Sequence, residues 1–166
     1  DIGTGSGAIA VTLAVKLHNW RIAACDISLD ALAVARRNAQ RNGASPRIEW
    51  LAGNLLEPLA AAGQLVDVVV SNPPYIESGD MPGLQREVRD HEPVLALDGG
   101  EDGLRCYREL VRQMAGLATA PQLVGFEVGS GQARDVARML EQSGHWQHYE
   151  IIVDYAGIER HVLAWR

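Results

Sequence analysis

The sequence predicts an α/β fold in which a mostly parallel sheet closes on an antiparallel hairpin, and three features carry that expectation. A glycine-rich turn, residues 3–7, leads directly into an apolar helical stretch, as the junction between a strand and a helix does. Val68-Val69-Val70 is a β-branched run of the kind buried in parallel sheets, and Pro73-Pro74 stop it because neither has an N–H to give a ladder. The last two strand-like segments, 149–154 and 159–165, are separated only by Tyr155-Ala156-Gly157-Ile158, too short for a crossover helix, so they pair antiparallel.

Taken in order, residues 8–17 continue from the glycine turn as a helix whose first N–H groups face that turn, an anion site suited to a carboxylate or a pyrophosphate. Gly3-x-Gly5-x-x-Ala8 also satisfies the dinucleotide fingerprint, so the turn alone leaves a nicotinamide dinucleotide and S-adenosylmethionine as alternatives. Residues 21–26 read as the next strand and end in Asp26, about 20 residues past the glycines, where a ribose diol is usually gripped. Ser28 is placed to cap the following helix, with Asp30 in its first turn, apolar Ala31, Leu32, Ala35 and Ala39, and a stop at Asn42-Gly43. Residues 47–52 alternate as a third strand, and 53–58 follow its carboxyl end. Asn54 and Leu55 there are placed to meet an adenine, one by hydrogen bonding and one by apolar contact, although a leucine taken in isolation reads as core.

After the 68–70 strand, residues 77–103 form a long segment rich in glycine, proline and charge, expected as a lid or binding loop, with 92–97 as a short strand or ordered stretch. Arg86, Glu87, Arg89, Asp90 and His91 read as a solvated face. A helix over 104–118 presents Leu104, Tyr107, Leu110, Val111 and Met114 on one face. Residues 122–128 are the fifth strand, Gly129-Ser130-Gly131 its exit, and 132–143 the last helix.

Bulk properties are those of one domain: 166 residues, 47% hydrophobic and 22% charged. A net charge of −6 weighs against a substrate that is mostly phosphate backbone. Cys25 and Cys106 have no C-x-x-C spacing and no adjacent histidine, which indicates neither a disulfide framework nor a metal site. Cys25 reads as a buried small hydrophobe. No apolar run reaches the ~18 residues of a membrane span and no signal peptide is visible, so a cytoplasmic enzyme that avoids membranes is expected.

The chemistry concentrates after the 68–70 strand, because ligands of open α/β sheets bind at strand carboxyl ends. There the side-chain oxygen of Asn72 and the backbone carbonyl of Pro73 can accept the two hydrogens of a planar NH2 group, and Tyr75 can stack on it. An amide nitrogen is a poor nucleophile, because its lone pair is delocalised. Two acceptors on its hydrogens orient it and favour pyramidalisation, aiming the lone pair at an electrophile. The turn offers no strong base, which suits attack on a cationic electrophile with the proton leaving afterwards. A plain strand-ending Asn-Pro turn is the other reading of the same residues.

A dinucleotide-binding Rossmann sheet is normally all parallel, whereas a sheet ending in an antiparallel hairpin looks like the Rossmann-like, seven-stranded fold of S-adenosylmethionine-dependent methyltransferases. Together, residues 1–7, Asp26, Asn72-Pro73-Pro74-Tyr75 and the closing hairpin resemble the HemK/PrmC family, which methylates the glutamine of the Gly-Gly-Gln motif in peptide-chain release factors. The likeness extends to Val88-Arg89-Asp90-His91-Glu92-Pro93, Ala96-Leu97, Gly100-Glu101-Asp102-Gly103-Leu104, Glu127-Val128-Gly129 and Asp154-Tyr155-Ala156-Gly157-Ile158-Glu159-Arg160.

The resemblance implies that Gly3, Thr4, Gly5, Ser6 and Gly7 hold the methionine end of S-adenosylmethionine, Asp26 its ribose, and Asn54 and Leu55 its adenine. It implies that Asn72, Pro73, Pro74 and Tyr75 receive a release-factor glutamine, with Asn72, Pro73 and Tyr75 catalytic and Asn72 also beside the cofactor. Asn54 stands where the family usually has aspartate, which removes charge assistance. The resemblance further implies that residues 1–166 correspond to a catalytic domain, with the first strand expected mostly to precede Asp1 and an upstream helical substrate-docking domain expected to be absent from these residues. Such a chain alone is expected to be poorly stable, since a central strand leaves unpaired backbone on its neighbours when removed. Two other functions share parts of the pattern. A nucleic-acid amino methyltransferase can seat a flipped base in the same turn, but the acidic balance and the lack of a basic segment oppose it. A non-catalytic cofactor-binding domain has no need of the 72–75 constellation.

Overall fold

Alanine sets how closely helices approach strands at the start of the chain. The computed structural model describes residues 1–166, which divide into two units, 1–65 and 66–166. The first unit contains α1 (Ala8–Lys16), β1 (Ile22–Asp26), α2 (Leu29–Arg41), β2 (Ile48–Ala52) and α3 (Glu57–Ala61). Its core is built from Ala10, Val11, Ala14, Ile22, Ala24, Ala39, Ala44 and Ile48, with Leu13 and Trp50 packed against them. β1 and β2 are parallel, with Ile22 opposite Ile48 and Asp26 opposite Ala52. Ile2 bridges Cys25 in parallel, and Cys25 donates to the Asp1 carbonyl at 2.9 Å while Thr4 donates to the Cys25 carbonyl at 3.0 Å. The residues leading into the glycine turn therefore run alongside β1.

Local chemistry explains the element ends. Ser28 Oγ accepts the Ala31 N–H at 3.2 Å, so α2 begins at Leu29, two residues before the first apolar position of its pattern. Gly43, at φ 66°, follows the last turn. Pro46 sits in a short 3-10 turn over Ser45–Arg47, which delays β2 to Ile48. At five residues, α3 is too short to show a period in the sequence, and Pro58 fits its first turn because no N–H is needed there.

The second unit contains β3 (Val68–Ser71), β4 (Ile76–Glu77), α4 (Arg86–Arg89), α5 (Val94–Leu97), β5 (Asp98–Gly100), α6 (Arg105–Met114), β6 (Leu123–Glu127), α7 (Ala133–Gln142), β7 (His148–Val153) and β8 (Glu159–Trp165). Four strands form a mixed sheet in the order β3-β6-β8-β7: β3 and β6 are parallel, and β8 is antiparallel to both β6 and β7. Val69 and Ser71 of β3 are buried while Val68 and Val70 are half-buried, so the run alternates instead of being buried throughout. α6 buries Tyr107, Leu110 and Met114, spaced three and four apart on one face. The rings of Tyr107 and Phe126 meet at 6.1 Å, and the Tyr107 hydroxyl donates to the Glu127 carbonyl at 2.7 Å. The Trp146 indole N–H likewise reaches the Pro121 carbonyl at 2.9 Å, so each large buried aromatic with a polar tip has a partner.

The 77–103 segment differs from its expected form. Of the two forms expected for residues 92–97, a short strand or an ordered stretch, the structure has the second: Val94–Leu97 is one helical turn behind Pro93, and the extended piece is Asp98–Gly100, which pairs in parallel with Ile76–Glu77. Asp98 fixes this arrangement. Its carboxylate accepts from the Ser78 hydroxyl at 2.6 Å and the Gly100 N–H at 2.9 Å, and its carbonyl accepts from Arg105 at 2.7 Å. Glycines and an aspartate, depleted in ordinary strands, form β5 because side-chain bonds replace propensity.

Phe126 is fully buried between these layers. Replacing it with alanine is expected to cost about 3–5 kcal/mol of unfolding free energy, measured by urea denaturation.

Candidate functional site

Three loops of the first unit meet at the carboxyl ends of its adjacent strands. In the glycine turn, Gly3, Gly5 and Gly7 all have positive φ, at 68°, 56° and 82°. They serve two purposes. A Cβ on Gly7 would lie 2.9 Å from the Cβ of Ala35, so Gly7 lets α1 and α2 approach, whereas positions 3 and 5 have nothing within 4 Å and leave backbone open to a ligand. Asp26 joins this turn to the next helix: Oδ2 accepts the Gly5 N–H and Oδ1 the Ser28 N–H, both at 2.8 Å. Each carboxylate oxygen has a second lone pair for another donor.

Asp1 enters the sequence reading only within the 1–7 likeness, with no role of its own, yet its Oδ2 accepts from the Thr4 hydroxyl and from the Ala10 N–H at 3.0 Å. The helix N–H that the sequence offers to an external anion is thus partly used by an internal carboxylate. The signal was the acid two residues before the first glycine. Its other oxygen, Oδ1, is buried without a partner, an acceptor that a ligand N–H can satisfy. Thr4 is buried, while Ser6 is exposed and its carbonyl accepts from the Asn38 amide at 2.9 Å.

Beyond β2, the Gly53 N–H donates to the Asp26 carbonyl at 3.0 Å, which brings Asn54 and Leu55 to the same edge. Asn54 gives its NH2 to Glu57 at 3.0 Å, orienting its amide oxygen as the remaining acceptor. Leu55 is half-buried and is the one non-glycine residue with positive φ, at 53°, a conformation costing about 1–2 kcal/mol for an L-residue. Leu56 beside it is fully buried and fills the core role. Cys25 is buried too, and burial pushes its thiol up to about 11, so it is an inert small hydrophobe.

The 72–75 turn belongs to the second unit, where Ser71 stands opposite Phe126 and the chain leaves β3 beside the end of β6. Asn72 is exposed, Pro73 buried, and Pro74 and Tyr75 half-buried. The turn presents its amide side chain outward from a base that cannot donate to the sheet. The Tyr75 carbonyl accepts from Gln132 Nε2 at 2.9 Å, and Gln132 Oε1 accepts the Gly129 N–H at 3.0 Å. Burial, the Glu127 carboxylate and a hydrogen bond to it raise the Tyr75 phenol above its ordinary pKa, with Arg160 opposing, so the hydroxyl stays a neutral donor. Arg160 also donates to the Val128 carbonyl at 3.0 Å and pairs with Asp154 at 3.4 Å, tying the hairpin to the end of β6. Gln132 was not marked from sequence, since nothing local ties it to Tyr75, 57 positions away, and Glu127 entered only within the Glu127-Val128-Gly129 likeness, with no role of its own.

Gly7→Ala combines strained φ with a clash against Ala35 and is expected to lower stability by about 1–3 kcal/mol in thermal or urea unfolding.

Residues 1–99 match the family described as methyltransferase small domain. Among curated relatives, a release factor glutamine methyltransferase of Bacillus cereus is 44% identical over 99% of this chain and 57% of its own length. That of Moorella thermoacetica is 45% identical over 100% of this chain and 58% of its own. The chain thus spans a little over half the length of the curated relatives it matches. Solved structures with the same fold include the N-terminal domain of human METTL16 in complex with SAH, at TM-score 0.67 and 20% identity over 99% of this chain and 59% of that one. A methyltransferase from Pyrococcus furiosus aligns at TM-score 0.64 and 19% identity over 99% of this chain and 71% of that one. With a methyltransferase α/β fold and a family match over most of its residues, this chain belongs to the methyltransferase small domain family.

Proposed function

We propose that this chain is the catalytic domain of an enzyme that methylates the side-chain amide nitrogen of a glutamine, the one in the Gly-Gly-Gln motif of peptide-chain release factors, using S-adenosylmethionine. The observation that carries this reading is the 72–75 turn: an exposed Asn72 amide and a proline carbonyl at a strand end, with the following tyrosine anchored through its backbone. The similarity of this chain to release factor glutamine methyltransferases supports a release-factor glutamine as the substrate.

The residues of the first unit suit the cofactor. The unpartnered Asp1 Oδ1 and open backbone at Gly3 and Gly5 fit an amino-acid end, together with Thr4, Ser6 and Gly7. Asp26 has acceptor capacity for a ribose diol, the oriented Asn54 oxygen suits an adenine amino group, and the held-out Leu55 offers apolar contact. S-adenosylmethionine, when bound, supplies a methyl carbon made electrophilic by its sulfonium. Asn72 Oδ1 and the Pro73 carbonyl accept the two amide hydrogens of the substrate glutamine, and Tyr75 and Pro74 hold its plane. As the nitrogen's lone pair bonds to the methyl carbon, the carbon–sulfur bond would break and S-adenosylhomocysteine would leave, and the positive charge developing on nitrogen rests against these two oxygens, so they bind the transition state more strongly than the ground state. The proton then leaves to water, since the turn holds no base of its own.

A seven-stranded sheet with a terminal antiparallel hairpin belongs to the same proposal, supported by the parallel β1–β2 pair and the antiparallel β7–β8 pair. No helix is long and apolar enough to cross a membrane, and action in the cytoplasm follows from the proposed substrate.

The test is a crossed pair of variants. Asn72→Ala is expected to reduce methyl transfer to a release factor at least about 100-fold while S-adenosylhomocysteine affinity stays within about threefold. Asp26→Asn is expected to weaken that affinity about tenfold or more in calorimetric titration, because an NH2 group replaces one acceptor. Turnover unchanged in Asn72→Ala would remove the mechanism.

A further inference from the structure

We propose that Gln132 is the positioning residue of the 72–75 turn: its amide clamps the Tyr75 carbonyl to the Gly129 N–H and so fixes the turn for the substrate amide. The inference rests on the glutamine-methylation reading above. Gln132 opens α7, yet its side chain makes no cap for that helix. Instead it reaches back. Its Oε1 accepts the Gly129 N–H at 3.0 Å while its own backbone N–H donates to the Gly129 carbonyl at 3.1 Å, a reciprocal closure that holds residues 129–132. With the oxygen committed there, the amide plane must point Nε2 outward, and it meets the Tyr75 carbonyl at 2.9 Å, 57 residues away in sequence.

The surroundings admit nothing else. A Cβ on Gly103 would stand 2.3 Å from both Gln132 Nε2 and the Tyr75 carbonyl oxygen. One on Gly99 would stand 2.8 Å from Tyr75 Cα, and one on Gly129 2.7 Å from Gln132 Oε1. Three positions without side chains thus form a slot around one hydrogen bond. The bond needs a donor at one end and an acceptor at the other, which an amide supplies and a carboxylate does not. Tyr75 is held at its far end as well, by the Glu127 carboxylate beside its hydroxyl. With carbonyl and phenol both tethered, the tyrosine ring and the prolines before it have little freedom to shift, and a displacement of about 1 Å at a reacting amide costs about 100-fold in rate.

Gln132→Glu, of nearly the same shape, keeps the acceptor for Gly129 but sets an ionised oxygen against the Tyr75 carbonyl. Protonation restores the donor. In the intact protein, this variant is expected to lose about 10- to 100-fold in kcat at alkaline pH with S-adenosylhomocysteine affinity unchanged, and to recover as pH falls through the raised pKa of the new carboxyl. Gln132→Met, which has neither end of the bond, is expected to show a similar loss with no acid recovery. Parent-like kcat in either folded variant, or equal losses in both without acid recovery, overturns the proposal. The ¹³C shift of a labelled Tyr75 carbonyl reads the clamp without any substrate: it is expected to titrate in Gln132→Glu and stay flat in the parent, and a flat response in both overturns it. Should the parent itself transfer no methyl to a release factor, the functional reading fails, while the carbonyl titration still decides the clamp.

Discussion

Backbone groups at the ends of strands must find partners once the ladder stops, and in this chain planar two-headed side chains supply them. In the first unit the groups left over are both donors, the N–H of Gly5 and of Ser28, and the bridge is a carboxylate, Asp26. In the second unit they are one donor and one acceptor, the Gly129 N–H and the Tyr75 carbonyl, and the bridge is an amide, Gln132. In the hairpin a carboxylate again serves two donors, Asp154 accepting the N–H groups of Ala156 and Ile158 at 2.9 and 3.0 Å on its one oxygen Oδ1. The residue type at each bridge follows from the polarity of the backbone it serves. Loops secured in this way keep a defined shape without regular secondary structure, which a site at strand ends requires.

Charge plays a smaller part in holding the fold. The ion pairs lie mostly at the surface, such as Arg86 with Asp90 and Arg138 with Asp135, where solvent screening leaves each worth little. Hydrogen bonding matters more to the carboxylates that organise loops. The Ser78 hydroxyl and then the Gly100 N–H lower the Asp98 pKa, and the Ile158 N–H does the same first for Asp154. A carboxyl whose folded pKa is depressed contributes stability above its unfolded pKa and loses it as pH falls through the folded one. Acid therefore weakens the bonds that hold β4–β5 and the hairpin turn.

Much of this was legible in the sequence where the signal is local. Ser28, Asn42-Gly43 and the prolines at 73 and 74 act within a turn of where they stand, and each ends or starts its element as its chemistry dictates. The antiparallel relation of the last two strands follows from a connection too short for anything else. What could not be read depends on partners far along the chain. Residues 98–100 look unlike a strand and become one through Ser78 and Arg105, while 92–97, apolar enough for a strand, coil into a helical turn behind Pro93. Taken in isolation Leu55 reads as core, but the left-handed backbone there places Leu56 inside instead. Gln132 carries no pattern of its own, and Glu127 stands out only within the Glu127-Val128-Gly129 likeness, because the group they hold is Tyr75, which only folding brings to them.

The central claim is that the 72–75 turn takes a protein glutamine amide. The most direct measurement incubates the intact protein with methyl-labelled S-adenosylmethionine and either a release factor or an equal amount of ribosomal RNA and DNA. The account predicts label on the release factor, lost when the glutamine of its Gly-Gly-Gln motif is replaced. Label on nucleic acid alone would contradict it and assign the same turn to the amino group of a base.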